Sequence, residues 1–362
     1  MPATIRDVAK LAGASVGAVS AVLSDTRRHN IRVGLATRER IRAAAAQLEY
    51  TPNPIAQMLV TRKAGVLGLV FPYTEAFIDR NPFCTQVMAG IFEEVVRERY
   101  NLMLHTATGA NSREDAESMM LDPRVDGLIL VLPPSDSTII SRCQQRGFPC
   151  VAVVCKNDLG NVCTINADEF SGGRMAAEHL IGLGHRRIAH LAGDPKISTS
   201  EPRREGYLAA LAQAGIEIDP ELITGQGFDY RDGQAGMAHL LSLPEDRRPT
   251  AVFAANDLSA DGALRLLHER GLRVPEDVAV VGYDDTWFAQ MTKPNLTSVR
   301  MPIYEMGMLA AQMLIAMVEG REIADRQPIL PVSLSIREST QPLTSSSDRP
   351  SNHSKENFLC QA

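Results

Sequence analysis

An alternation along most of the chain constrains its fold more than any other feature. Short apolar runs occur at Val66–Phe71, Asn101–His105, Gly127–Leu132, Cys150–Val154, Ile188–Ala192, Ala251–Ala254 and Val278–Gly282. Between them lie amphipathic stretches at Thr85–Arg99, Ser137–Arg146, Ser171–Leu183, Arg204–Ala214, Gly233–Leu241 and Leu258–Arg270. Brief apolar runs read as strands buried on both faces, and intervening helices impose parallel crossovers. The alternation therefore predicts doubly wound α/β sheets. Two halves fit the length, residues 64–163 and 164–291, with a helix Ile303–Glu319 and a strand Ile329–Ile336 returning across both. Ligands of open α/β sheets bind beyond the carboxyl ends of the strands, so a cleft between two halves is the expected pocket.

The first 63 residues do not share this pattern, and they do not share its charge. They hold ten Lys/Arg and four acids, a balance of +6, inside a chain whose formal net charge is −6. A small basic head on an acidic body points to a polyanion that meets the head alone. An Arg-rich solvated helical surface would give the same arithmetic, so the residue pattern has to decide. Thr4 can cap a helix with Asp7 as the reciprocal acid, and Ile5, Val8, Ala9, Leu11 and Ala12 follow at helical spacing. Gly13 allows the left-handed turn that ends it. Ser15 caps a second helix whose apolar face is Val16, Val19, Val22 and Leu23, and a third runs from about Gly34 to Glu49. The spacing of Ala9, Gly13 and Val19 suits two helices crossing closely over one core, a helix-turn-helix that presents its second helix to a major groove.

With the segment Tyr50-Thr-Pro-Asn-Pro-Ile-Ala-Gln-Met-Leu added, the chain resembles the LacI/GalR family of bacterial transcriptional regulators. The matching phrases are Thr4-Ile-Arg-Asp-Val-Ala-Lys-Leu-Ala-Gly, Val19-Ser20, Thr37-Arg-Glu-Arg-Ile, Tyr50-x-Pro-Asn and Ile55-Ala-x-x-Leu59, and the likeness continues to about residue 340. The resemblance implies an all-α helix-turn-helix DNA-binding head (1–51), a hinge helix and linker (52–63) and a two-lobed α/β effector and dimerisation domain (64–340). That last domain has the type I periplasmic-binding-protein architecture. It also implies a homodimer on a pseudo-palindromic double-stranded operator, a small-molecule effector, and repression as the commonest outcome. In the hinge, Asn53 and Ala56 belong to a helix that orders on DNA. Leu59 matches the leucine wedged into the minor groove, and a kinking apolar wedge is physically coherent; without the preceding phrases it would read as a plain linker residue. Short isolated helices are marginal in water, so DNA contact can supply the ordering free energy.

Candidate DNA contacts are Thr4, Ser15, Val16, Gly17, Ala18 and Ser20 in the head, Arg27, Arg28 and Arg32 in the loop after the second helix, and Asn53, Ala56 and Leu59 in the hinge. Three features depart from the family pattern. Ala18 and Ala21 stand where Thr and Arg are common, and Gly17 gives another readout position no side chain, which removes polar groups that could bond base edges; apolar contact of Val16 or Ala18 with thymine methyls is one substitute open to the helix. The loop from Ser24 to Gly34 is a few residues long for the family, and its arginines are expected on phosphate, which positions without reading sequence.

Candidate effector contacts follow the predicted strands: Tyr73, Phe77 and Phe83, then Asp168, Arg203, Asn256, Asp284 and Trp287. The resemblance makes Arg203 the arginine that grips effector, and with the carboxylates it suits a hydroxyl-rich sugar or polyol through charge-assisted hydrogen bonds. Asp257, opening a helix, fits a cap better than a ligand contact; Asp168 fits either. Trp287, the single tryptophan, fits stacking on a sugar or core packing.

Other classes fare worse. His-Glu-x-x-His, P-loop and Gly-x-Gly-x-x-Gly patterns are absent from the sequence, and its six cysteines and eight histidines show no metal spacing, so neither an enzyme nor a cofactor or metal is expected. A sugar-binding transport protein would share the body without the basic head. No run nears the ~18 apolar residues of a membrane span, and the amino terminus lacks a secretory apolar core, so a cytoplasmic location with no membrane partner is expected. Dimerisation is expected around Phe92–Val96, Met119–Met120 and the methionines of 303–319, which suit interior packing equally well. The polar stretch 341–362 has little to bury and is expected to be disordered.

Overall fold

A computed structural model describes residues 3–23, 33–53, 63–71, 81–105, 113–155 and 160–340. Two units divide near the start of the first strand. The head consists of α1 (Ile5–Ala12), α2 (Val16–Leu23) and α3 (Leu35–Gln47). Thr4 and Asp7 form the expected capping box at the start of α1, and Gly13, at φ +58°, ends that helix in the left-handed region. Ser15 Oγ accepts the N–H of Ala18 at 3.2 Å, which caps α2. Val8, Ala9, Ala12, Val19, Ile41, Ala44 and Ala45 close a core of small side chains, as close helix crossing requires.

The second unit holds two six-stranded sheets. The first contains β1 (Val66–Val70), β2 (Asn101–Leu104), β3 (Gly127–Val131), β4 (Cys150–Val153), β5 (Cys163–Ala167) and, from far along the chain, β11 (Ile329–Leu330). The second contains β6 (Ile188–Leu191), β7 (Ile223–Thr224), β8 (Ala251–Ala254), β9 (Ala279–Asp284), β10 (Thr297–Arg300) and β12 (Ser333–Ser335), with β12 antiparallel to β10. Helices α4 (Pro82–Arg97), α5 (Arg113–Met120), α6 (Ile139–Arg146) and α11 (Ile303–Glu319) belong with the first sheet, and α7 (Glu169–Gly182), α8 (Ser200–Gln213), α9 (Tyr230–Ser242) and α10 (Asp257–Glu269) with the second. Strand alternation splits the second sheet's apolar side chains between two layers: Val252, Ala254 and Val280 on one, Ala251, Phe253 and Val281 on the other.

Several sequence expectations need correction here. The boundary between lobes lies after residue 167 rather than 163, because Cys163–Ala167 is a central strand of the first sheet. Its Thr164 and Asn166 disguised it. Both are buried, and Asn166 Oδ1 accepts the Cys155 N–H at 2.9 Å. Strand β10 was hidden in the same way by buried Thr297 and Ser298. The expected strand 329–336 is two strands in two different sheets, parted at Pro331, which has no N–H to give a ladder. The chain thus passes between lobes three times, at β5–α7, β10–α11 and β11–β12.

Candidate functional site

The second lobe's strand ends carry a buried charge cluster built around Arg203, in the first turn of α8. Its Nε donates to Glu169 Oε2 at 2.7 Å, Nη1 to the carbonyl oxygen of Ala255 just past β8, and Nη2 to the sulfur of Met301 at 3.3 Å. Nη2 also lies 3.6 Å from Asp284 Oδ1 at the end of β9. The guanidinium carbon stands 3.6 Å over the Tyr283 ring, a cation–π contact. Helix geometry sets this up. Gly173 of α7 faces the backbone of Arg203 so closely that any Cβ would collide with it, and Gly206 of α8 meets the backbone of Phe170 in the same way. The two helices therefore cross at backbone contact, which brings Glu169 and Arg203 together.

One cation faces two carboxylates. Burial pushes the Asp284 carboxyl well above the ordinary range, Arg203 pulls it back, and Asp257 and Glu169 push it the same way as burial. Burial would lower the Arg203 guanidinium, but Glu169, Tyr283 and Asp284 outweigh it and hold the charge in place. Asp284 also has φ +100°, followed by Asp285 at φ +50°. Two consecutive side-chain-bearing residues in that region are strained and need surrounding structure to hold them. The adjacent Asp257 carboxylate accepts from Ser298 Oγ (2.5 Å), Thr286 N–H (2.9 Å) and Thr286 Oγ1 (3.2 Å). Burial raises its carboxyl to about 7 against those hydrogen bonds.

Asp168 is partly buried and caps α7, accepting the Ser171 N–H at 3.0 Å. Trp287 is 55% exposed, with its ring edge-on to Phe288, so core packing does not account for it. Two further candidates are engaged by the protein itself. Asn256 spends its amide oxygen capping α10 and its nitrogen on the Phe228 carbonyl, and Asp257 is not the cap. Phe83 is buried in an apolar cluster drawn from both sheets, and its N–H donates to Asn81 Oδ1 at 3.0 Å. Tyr73 and Phe77 lie outside the described residues. Glu169, Tyr283 and Met301 were missed. Two successive acids at a helix start, Asp168-Glu169, were the available signal.

In the head, Thr4, Ser15, Val16 and Gly17 are exposed and Ala18 and Ser20 half-buried; Asn53 is exposed. Arg27, Arg28, Arg32, Ala56 and Leu59 lie outside the described residues, as does the stretch 341–362. On the first lobe Phe92, Val96 and Met119 are exposed, whereas Met120, Met306 and Met313 are core. Among the described residues no helix is long and apolar enough to cross a membrane, and no group of side chains has metal-ligating geometry.

A helix-turn-helix head joined to a body of two α/β lobes, with charge gathered at strand ends, defines a ligand-controlled DNA-binding protein as the class. Residues 4–53 match the bacterial regulatory proteins of the lacI family, and residues 177–340 match the periplasmic binding protein-like domain. The HTH-type transcriptional regulator CelR of Thermobifida fusca is 35% identical over 342 residues, covering 93% of this chain and 98% of CelR. The ribose operon repressor of Haemophilus influenzae is 32% identical over 340 residues, covering 93% and 98%. Among solved structures, the lac repressor dimer bound to operator and the anti-inducer ONPF superposes with a TM-score of 0.81 at 29% identity, covering 94% of this chain and all of that one. This chain belongs to the LacI family of bacterial transcriptional regulators. Membership makes it a regulator rather than an enzyme.

Proposed function

We propose that this chain is a homodimeric repressor whose effector is a sugar or polyol, received at the carboxyl ends of β8, β9 and β10. One observation carries the reading. Arg203 bonds to segments of two of the three inter-lobe crossings, through Glu169 at the start of α7 and Met301 before α11, while resting against Asp284 and Tyr283. A ligand hydroxyl that competes for Arg203 or Asp284 pulls directly on the segments about which the lobes rotate. Lobe rotation resets the separation of the two hinges of a dimer, and that separation biases residues 52–63 between ordered and frayed. Arg27, Arg28 and Arg32 hold phosphate, and Thr4 and Ser15 help seat the head. Asp168 and Trp287 supply a carboxylate and an exposed ring to the ligand, a pairing suited to a polar-edged, apolar-faced sugar. The sugar class draws support from the relatives: one structure is a CelR–cellobiose complex, and another relative is a ribose operon repressor.

A thermal-shift panel of mono- and disaccharides, polyols and nucleobases on the full-length protein tests this. A sugar is expected to raise the melting temperature, as any ligand selective for the native state must, and to change operator affinity in a mobility-shift assay. A nucleobase as sole hit overturns the ligand class. A stabilising sugar that leaves DNA affinity unchanged overturns the coupling.

A further inference from the structure

We infer that the head reads its operator through the C5 methyl group of pyrimidines, with Val16 as the residue that detects it. The inference rests on the DNA-binding reading above. Second helices of helix-turn-helix units enter the major groove with their amino-terminal residues against base edges. Here that end is Ser15, Val16 and Gly17, all exposed, followed by Ala18, Val19, Ser20, Ala21, Val22 and Leu23. Helix α2 contains no charged side chain and no amide, so it cannot form the two-pronged contacts by which Arg reads guanine and Asn or Gln reads adenine. Its polar side chains are hydroxyls. That of Ser15 already accepts the Ala18 N–H, and a hydroxyl, donor or acceptor alike, discriminates bases weakly.

What the helix does present is an apolar side chain, Val16, 43% exposed although Val19 beside it is wholly buried. Gly17 adds no side chain next to it, so backbone and valine can approach the groove floor together. The major groove displays one apolar group, the C5 methyl, which thymine carries and cytosine carries only when methylated. Val16 against that methyl removes both from water. Guanine and adenine edges offer this helix end nothing comparable.

The probe is a two-fold symmetric duplex enriched from random-sequence DNA by the full-length protein. Each thymine is then replaced by deoxyuridine, which removes the methyl and keeps the pairing. At one position per half-site, wild-type affinity is expected to fall about four-fold per methyl, about fifteen-fold for both half-sites, in line with burial of one methyl-sized group. Replacing that thymine with cytosine should weaken binding, and 5-methylcytosine there should recover part of the loss. Val16→Ala, which removes an exposed side chain and leaves the core intact, should bind thymine and uracil duplexes within about two-fold of each other. Indifference of the wild type to every uracil substitution overturns the inference while sparing the regulator reading. A Val16→Ala protein that keeps the full thymine preference overturns it too. Failure to enrich any duplex overturns both.

Discussion

In the head, the residues proposed to face DNA stand on a core to which they do not belong. Thr4, Ser15, Val16 and Gly17 are exposed, and the packing beneath them is alanine, valine and isoleucine. In the second lobe the charged groups are themselves interior: Glu169, Arg203, Asp257 and Asp284 are all buried and bonded to one another or to strand ends. The difference separates recognition from response. A head built this way can change what it reads by surface substitution at little cost in stability. A lobe built this way cannot change its charged residues without altering its own fold energy. That makes it suited to converting a ligand contact into motion.

The largest test of the contrast is Arg203→Ala. It strips the counter-charge from Glu169 and Asp284, and breaking a buried pair by removing one partner costs about 3–5 kcal/mol. Urea unfolding of the second unit should shift accordingly while the head's own melting is unchanged. A loss under about 1 kcal/mol, the scale of an exposed pair, would show that the cluster is solvated and the contrast false. Next comes pH. The Asp257 carboxyl, raised to about 7 in the folded chain from 3.8, keeps a proton there that the unfolded chain has lost. The native state binds more protons between about 4 and 7, so stability falls as pH rises through that window and levels off above it. The slope approaches about 1.4 kcal/mol per pH unit for one such group. Asp257→Asn should flatten that part of the profile, leaving the same-signed contribution of Asp284; an unaltered slope across pH 4.5–7.5 would assign the dependence elsewhere.

A smaller effect is expected in the head. Ser15→Ala leaves the Ala18 N–H without its cap at the start of α2, which costs about 1 kcal/mol of head stability. Heat denaturation of the full-length protein, followed by a probe confined to the head, reads it. A loss of more than about 3 kcal/mol would mean that Ser15 is bound into the core and that the reading surface is not separable from the fold.

How much of this the chain displays as sequence depends on whether packing or polarity dominates locally. Thr4, Asp7, Gly13 and Val19 were legible because capping, a left-handed turn and a buried valine each leave a mark at fixed spacing. The strands Val66–Val70, Gly127–Val131 and Ala251–Ala254 were legible as apolar runs. Strands β5 and β10 were not, since their buried Thr164, Asn166, Thr297 and Ser298 look like loop residues, and the partners that satisfy the last three lie elsewhere in the chain. Arg203 and Asp284 were each legible beside a strand end, but the Glu169–Arg203 contact that organises the cluster was invisible because it depends on a glycine-mediated crossing of α7 and α8. The cap fell to Asn256 rather than Asp257 because one residue of register decides which of two neighbours caps a helix.

The smallest stability effect belongs to a residue that bridges the contrast. Trp287 lies in the charged lobe three residues past Asp284, yet it is exposed like the proposed reading residues of the head. Trp287→Ala removes a largely exposed ring that stands edge-on to Phe288, and should change unfolding stability by no more than about 0.5 kcal/mol. Its consequence should appear in the ligand channel. The thermal shift produced by the best sugar of the panel should shrink, and the operator affinity of the ligand-free protein should match wild type. If instead the variant unfolds readily, the ring is structural and the lobe keeps its recognition and its stability in the same residues throughout. If it binds sugar as wild type does, the ring has no part in the site, and recognition in this lobe rests on its buried charged groups alone.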